Sequence, residues 1–369
     1  MIALAAFGIN TDQTTLCDWI EKQHFELFET CSISTLSEAY LGVYANRPTS
    51  WLAVMARNAK LEMDVAIGEE ENSSLVRVPA MRRSKFIAPT SLAVDLFLST
   101  QAALSSHHWR LEDVGLTVED YFRLLPEVKA FASGCPIKPK DLAKCLSIDS
   151  SAARALINVA TYMGELVRIP SQKPWSNQWG YAPPEARFSL ASQDKSVLRS
   201  KLIKKYIEQY GPVNLDDIAW WTGFAKQEVH SLVKNLDCVE IAEGMWMTCA
   251  NADQFLHSSH QIKPSGGQIR FLPAWDPLLM GYSPQSKIRD YLNLNEIGAY
   301  DRSGNGKPVV FEGAKAIGCW QSKLVKSKRY MWIEQSHICK FPNLEKLHES
   351  AEAWARRIGV EYLSEVPEK

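Results

Sequence analysis

Tyr210-Gly-Pro-Val-Asn-Leu-Asp-Asp-Ile-Ala-Trp-Trp-Thr-Gly-Phe224, with the run from Lys226 to Thr248 behind it, decides the fold. Gly211-Pro212 stops any preceding helix, because proline has no amide hydrogen to continue the ladder. Leu215 to Trp221 then reads as a short helix and Gly223 as a turn. Lys226 to Leu236 reads as a second helix, with Val229, Leu232, Val233 and Leu236 on one face. A helix-turn-helix asks for a small residue in the first helix, a glycine in the turn and a branched apolar residue in the second. Ala219, Gly223 and Val229 stand at those places. Cys238 to Ile241 and Met245 to Met247 alternate around Glu243-Gly244, the pattern of a β-hairpin wing.

Upstream, the same register recurs. Pro139 to Leu146 reads as a first helix, with Ala143 in the place of Ala219 and Ser147 in that of Gly223. Ala153 and Leu156 match Val229 and Leu232, and Gly164 to Ile169 follows as a wing strand. Two such modules suggest tandem winged helices; two unrelated helical pairs are the alternative. Nearer the N-terminus, a helix starts about Thr15 to Asp18, a second covers Ser37 to Val43, and a third covers Ser50 to Leu61 behind Pro48. Val76 to Pro89 is extended and basic, as a wing would be. From Gly266 the texture changes to short β runs at Ile269 to Leu272, Val309 to Glu312, Ala316 to Gln321 and Tyr330 to Glu334. A closing helix carries Leu344, Leu347, Ala351, Trp354 and Ile358 on one face and ends at Gly359.

The reading is therefore α+β: tandem winged helix-turn-helix domains followed by a small antiparallel β-barrel. The expected boundaries are 1–110, 111–193 and 194–262 for three winged helices and 263–369 for the barrel with its helix. A chain of 369 residues is too long for one ordinary core, which agrees with several modules. With 46% hydrophobic and 22% charged residues it has the composition of a globular protein rather than a disordered one. Its net charge of −1 means that any polyanion must be met by local clusters of cations. Such clusters lie at Arg77 to Lys85, Lys195 to Lys205 and Lys323 to Arg329; a solvated face is the competing explanation for each. The 8 cysteines form no C-x-x-C pair, and His257 and His260 have no nearby cysteine, so no zinc site is expected and the thiols read as reduced and mostly buried. The opening Met1 to Asn10 is apolar but short and lacks a basic lead, so neither a signal peptide nor a membrane span is expected, and the reading is cytoplasmic.

Four segments resemble one family, the winged-helix DNA-binding proteins that include bacterial DNA glycosylases unhooking interstrand crosslinks. Tyr210 to Phe224 resembles the family's third winged helix, with its Y-G-P and W-W-x-G signature. Phe271-Leu-Pro-Ala-Trp-Asp-Pro-Leu-Leu-Met-Gly-Tyr282 resembles the opening of its β-domain, and Val309 to Gly313 with Ile317 to Trp320 a later hairpin there. Val76 to Arg82, continuing to Phe86-Ile-Ala-Pro89, resembles its first wing. The resemblance implies a monofunctional DNA glycosylase that hydrolyses the N-glycosidic bond of N-alkylated or crosslinked purines, without metal or cofactor. Double-stranded DNA would be the partner and the protein a monomer. In the family, a Gln, an apolar residue, then Gln or Asp shortly before a proline position the water. Here the matching positions are Tyr44-Ala45-Asn46 before Pro48. Asn46 can hold water through its carboxamide but cannot act as a base, and Tyr44 offers a hydroxyl and a stacking face. Core packing for Tyr44 and turn capping for Asn46 are the structural alternative.

On this reading the catalytic candidates are Asn46 and Tyr44. The DNA-contact candidates are Arg47 beside the motif, Arg82, Arg83 and Lys85 on the first wing, and Lys226, Gln227, His230 and Lys234 on the third recognition helix. Lys323, Lys326, Lys328 and Arg329, in an expected exposed loop, complete the set. Trp221 and Trp220 read as core, and Asp276 before Pro277 as an Asx-type turn residue. The altered motif keeps a second function open: a catalytically silent DNA-binding or regulatory protein. A third is an interaction protein whose winged helices contact protein.

Overall fold

The computed structural model describes residues 13–72, 74–184, 194–258, 267–334 and 343–365. The N-terminal decapeptide, His260 and Cys339 lie outside them. Helices and strands mix in an α+β fold, and the chain divides into two compact units. One holds residues 44–48 and 71–202; the other holds the chain up to Val43, Thr49–Glu70 and everything from Ile203.

In the second of these units, Leu215–Thr222 and Lys226–Val233 are the two helices read from the sequence. Asn214 starts the first with a reciprocal capping box to Asp217, and Gly223 ends it at φ 77°, a left-handed value that glycine takes without penalty. Val229 and Val233 are buried beneath the second helix. The hairpin Cys238–Ala242 with Met245–Thr248 follows. The β region is a single five-stranded sheet in the order Glu361–Tyr362, Lys328–Ile333, Lys315–Val325, Val309–Glu312, Ile269–Leu272. Short antiparallel runs suit a small barrel or a curled sheet, and this one is a curled half-barrel with two edges, because the fifth strand adds in parallel beside Lys328–Ile333 instead of returning to Ile269–Leu272. The basic stretch expected as a loop is instead the end of a long hairpin, with Lys323 opposite Tyr330 and Val325 opposite Lys328. Charged residues on both faces hide the alternation that marks a strand.

The core of this unit is aromatic around a buried histidine. His24 Nδ1 lies 2.7 Å from the Tyr40 hydroxyl and Nε2 lies 3.3 Å from that of Tyr282. Burial and the nearby Arg57 hold this imidazole well below the usual range, so it is neutral. Tyr210 stacks on Tyr206 at 4.8 Å, and Trp221 packs on the same pair, as expected of a core tryptophan. Gly281 sits against this cluster: a Cβ there would fall 2.2 Å from Tyr210 Cε1. Gly281→Ala must therefore displace a fully packed ring, and a loss of about 1–3 kcal/mol is expected in urea denaturation. An unchanged midpoint would show that the ring moves freely.

The other unit has its own core, in which Tyr121, Leu124 and Val128 of the helix Val118–Gly134 meet Leu142, Leu156 and Val159. Pro139–Leu146 and Ser150–Tyr162 are the expected helix pair, and Ser147 takes φ 51° where the other module has glycine. The wing strand Val167–Pro170 pairs with Trp179–Ala182. The basic segment read as extended is a hairpin: Leu75–Pro79 pairs with Lys85–Pro89 through a turn at Met81–Arg83. Nearer the N-terminus, the helix expected over Ser37 to Val43 runs instead over Ile33–Ala39. Ser32 and Thr35 cap it reciprocally, and Val43 passes into a two-residue strand with Tyr44. Among the described residues no helix is long and apolar enough to cross a membrane. Of the described cysteines all are unbonded, but only Cys17, Cys31 and Cys319 are buried, fewer than the sequence suggested.

Candidate active site

The chain enters the unit of 71–202 as the short turn Tyr44 to Pro48, in which Tyr44, Ala45 and Arg47 are tied down. Tyr44 lies in a sheet edge beside Lys85–Pro89, and the Ala45 amide donates to the Lys85 carbonyl at 2.9 Å. The Tyr44 ring packs on Phe86 with centroids 4.6 Å apart, and its hydroxyl accepts from Arg82 Nη2 at 2.7 Å. Burial pushes this phenol up, with Arg82 offsetting part of the effect. The neutral hydroxyl accepts from Arg82 and keeps its own proton to donate.

Arg47 follows a different course from the DNA contact expected of it. Its guanidinium is 0% exposed. It donates to the Ser171 carbonyl at 2.6 Å and to Glu71 Oε1 at 2.7 Å, while its amide donates to Asn177 Oδ1 at 2.7 Å. A charge so committed holds the turn in place. Asn46, between these anchors, is half-exposed, and its carboxamide has no hydrogen-bond partner among the described residues. A free amide on a fixed backbone can donate to and accept from one water molecule. The peptide Arg47-Pro48 is cis.

The wing tip beside this turn carries two consecutive left-handed residues, Arg82 at φ 50° and Arg83 at φ 60°. Each costs on the order of 1 kcal/mol, and the outcome is that Arg82 turns back onto Tyr44 while Arg83 stays exposed. Lys85 Nζ donates to the Tyr162 hydroxyl at 2.5 Å and lies 4.1 Å from that ring's centroid. Burial, then Arg168 and Arg110, push the Lys85 ammonium down to about 7. His107 stacks on Tyr162 at 4.7 Å, and burial with Arg83, Arg110, Lys85 and His108 pushes it down to about 4. Arg110, Tyr162, His107 and Arg168 did not figure among the sequence candidates. The signal available was the run His107-His108-Trp109-Arg110, cations interleaved with an aromatic ring.

The remaining candidates belong to the other unit. Lys226, Gln227, His230 and Lys234 are exposed along the helix Lys226–Val233 and its end. Lys226 pairs with Asp216 at 2.5 Å, a surface contact worth little in water. Lys323, Lys326 and Lys328 are exposed on the long hairpin, Lys328 standing 3.5 Å from Glu361, and Arg329 is partly covered. Asp276 makes the expected turn bond to the Leu278 amide at 2.9 Å, and it also accepts both ends of the Arg57 guanidinium.

Among curated proteins no match is found. Among solved structures, the Streptomyces sahachiroi DNA glycosylase AlkZ superimposes with a TM-score of 0.70 at 19% identity, over 95% of this chain and 97% of that one. That likeness is one of fold. The family model described as DNA glycosylase AlkZ-like matches residues 41–357, a span that includes the Tyr44-Ala45-Asn46 turn, the basic hairpin and the half-barrel except its edge strand Glu361–Tyr362, and by it the chain belongs to the AlkZ-like DNA glycosylase family.

Proposed function

We propose that the protein is a monofunctional DNA glycosylase that hydrolyses the N-glycosidic bond of N-alkylated or crosslinked purines in duplex DNA. The observation that carries this reading is the half-exposed, unpartnered Asn46 carboxamide on a turn whose neighbours are all anchored. Alkylation of a purine ring nitrogen leaves the base cationic and ready to depart, so the enzyme's task is to orient water and support the sugar's growing positive charge. Asn46 would orient the water and the Tyr44 hydroxyl would support sugar or base. Arg82 sets the Tyr44 hydroxyl and Arg47 sets the turn. Arg83 and Lys85 would contact phosphate, as would Lys226, Gln227, His230, Lys234 and the hairpin cations Lys323, Lys326, Lys328 and Arg329. The helix pairs with their hairpins support a reading as three winged helices over 1–110, 111–193 and 194–262, followed by the half-barrel unit over 263–369.

The direct test is single-turnover release of base from a duplex carrying one N7-alkylguanine, followed by alkaline cleavage at the abasic site. Release supports the glycosylase. Tight, salt-dependent binding without release supports the second reading, a catalytically silent DNA-binding protein. That reading is favoured by one feature: Glu71, the carboxylate tied to the turn, is committed to Arg47.

The low Lys85 value adds a pH prediction. The free protein loses this proton near 7, whereas the unfolded chain keeps it to the ordinary value of 10.5. Between those values the unfolded state binds more protons, so this group's cost to stability is fully present below 7 and is relieved as pH rises toward 10.5. A phosphate beside Lys85 reverses the preference, so DNA binding takes up a proton. His107, already neutral, does not contribute. Affinity should fall several-fold between about pH 6.5 and 8.5 at fixed salt, and Lys85→Met should flatten that dependence. Equal slopes for the two proteins would remove Lys85 from the interface.

A further inference from the structure

Tyr162 is the hub of a cationic cluster assembled from three separate parts of one unit. Its hydroxyl accepts from Lys85 Nζ at 2.5 Å and donates to the Arg83 carbonyl at 3.0 Å. His107 covers one side of its ring at 4.7 Å, and the Arg110 guanidinium lies 5.3 Å from the ring centre. The same guanidinium stands 4.3 Å from the centre of the Trp109 ring. Trp109 is 47% exposed, a large apolar surface that a folded chain ordinarily covers. Besides burial, Arg168 and Arg110 act on Lys85, and Arg83, Arg110 and Lys85 act on His107. Crowded like charges around a half-covered hub are held at a cost that an anion would relieve.

We infer that Trp109 and Arg110, with Arg83 and Lys85, form a nucleotide site in which a DNA phosphate sits among the three cations and an unpaired base stacks on Trp109. This rests on the glycosylase reading and deepens it, by assigning the interface a preference for DNA with a base out of the helix. The chemistry suits the ligand on both counts. Arg110 already stacks on Trp109, which pre-orients the ring, and a nucleobase on its open face would gain the stacking that single-stranded DNA binders use. Paired bases in a duplex keep their faces covered by neighbours, so only an unpaired base can use that surface.

The test is equilibrium binding to two duplexes that differ by one bulged thymidine. The wild-type protein should prefer the bulged duplex by about tenfold. Trp109→Ala should lose that preference and keep its affinity for the paired duplex, while Trp109→Phe, which retains a ring face, should keep most of the preference. Arg110→Gln should lower the dependence of log affinity on log salt by about one. Trp109 is exposed and Arg110 is partly buried, so a thermal midpoint for each variant checks the fold. Wild-type protein that binds both duplexes equally overturns the inference, as does a preference that survives Trp109→Ala; the glycosylase reading then stands. Absence of binding to either duplex overturns the reading itself.

Discussion

Arg57→Ala is expected to destabilise the unit that contains it by about 3–5 kcal/mol, the largest effect on stability of any single change considered. Arg57 and Asp276 are both fully buried, with Nη1 to Oδ2 at 2.8 Å and Nη2 to Oδ1 at 2.9 Å. The guanidinium also donates to the carbonyls of His24 at 2.9 Å and Ala53 at 2.9 Å, and lies over the rings of Phe25 and Tyr40. It therefore ties together the helix Gln13–His24, the helix Thr49–Met55 and the turn after Ile269–Leu272. Removing it leaves the Asp276 carboxylate buried without its counter-charge, takes the side-chain donor from the Ala53 carbonyl, and leaves the His24 carbonyl with only the Tyr40 hydroxyl at 3.4 Å. A double variant, Arg57→Met with Asp276→Leu, removes both charges and should recover a large part of the loss. Urea denaturation of the two variants decides the matter. Equal destabilisation by the single and double changes would mean that the carbonyl bonds, not the ion pair, carry the effect.

The Arg57–Asp276 pair also marks where sequence reading stops. Local chemistry was legible. Gly223 and Ser147 both end helices in left-handed conformation, at matching places in two modules. Gly359 closes the last helix at φ 67° as its position implied. The strands Ile269–Leu272 and Val309–Glu312 fall where apolar runs between turns placed them. The partners of a buried charge are another matter. Arg57 and Asp276 are 219 residues apart, and nothing in the Asp-Pro dipeptide announces an arginine so far upstream. The same holds for Arg47, whose cationic character suggested DNA and whose guanidinium is held by Glu71 and by the Ser171 carbonyl, the latter 124 residues further on. Sequence reports that a side chain is charged; only packing decides whether that charge faces outward. The missed helix Ile33–Ala39 is a smaller case of the same kind, since its capping box uses Thr35 where a glutamate or glutamine is the recognisable signal.

At the candidate site the expected result is that Asn46→Ala lowers single-turnover base release by about 10²–10⁴-fold while leaving DNA affinity within about twofold. The reasoning is geometric. The carboxamide makes no bond to the described parts of the protein, so its loss should not disturb the anchors at Ala45 and Arg47. A purely structural residue would show the opposite pattern, with stability falling and release following it. Two further substitutions separate orientation from proton transfer. Asn46→Gln lengthens the reach of the same amide by one methylene, and Asn46→Asp replaces it with a carboxylate that can accept the water's proton. If the site works by orienting water toward a base that is already a good leaving group, Gln retains activity and Asp adds only a modest gain. If it is limited by proton removal, Asp should exceed the native residue and should lose that advantage below about pH 4, where the carboxylate is protonated. Tyr44→Phe removes a hydroxyl held by Arg82 and leaves that guanidinium one acceptor short, so a drop in release with unchanged affinity is expected there too. Base release that survives Asn46→Ala and Tyr44→Phe together would move the chemistry away from this turn.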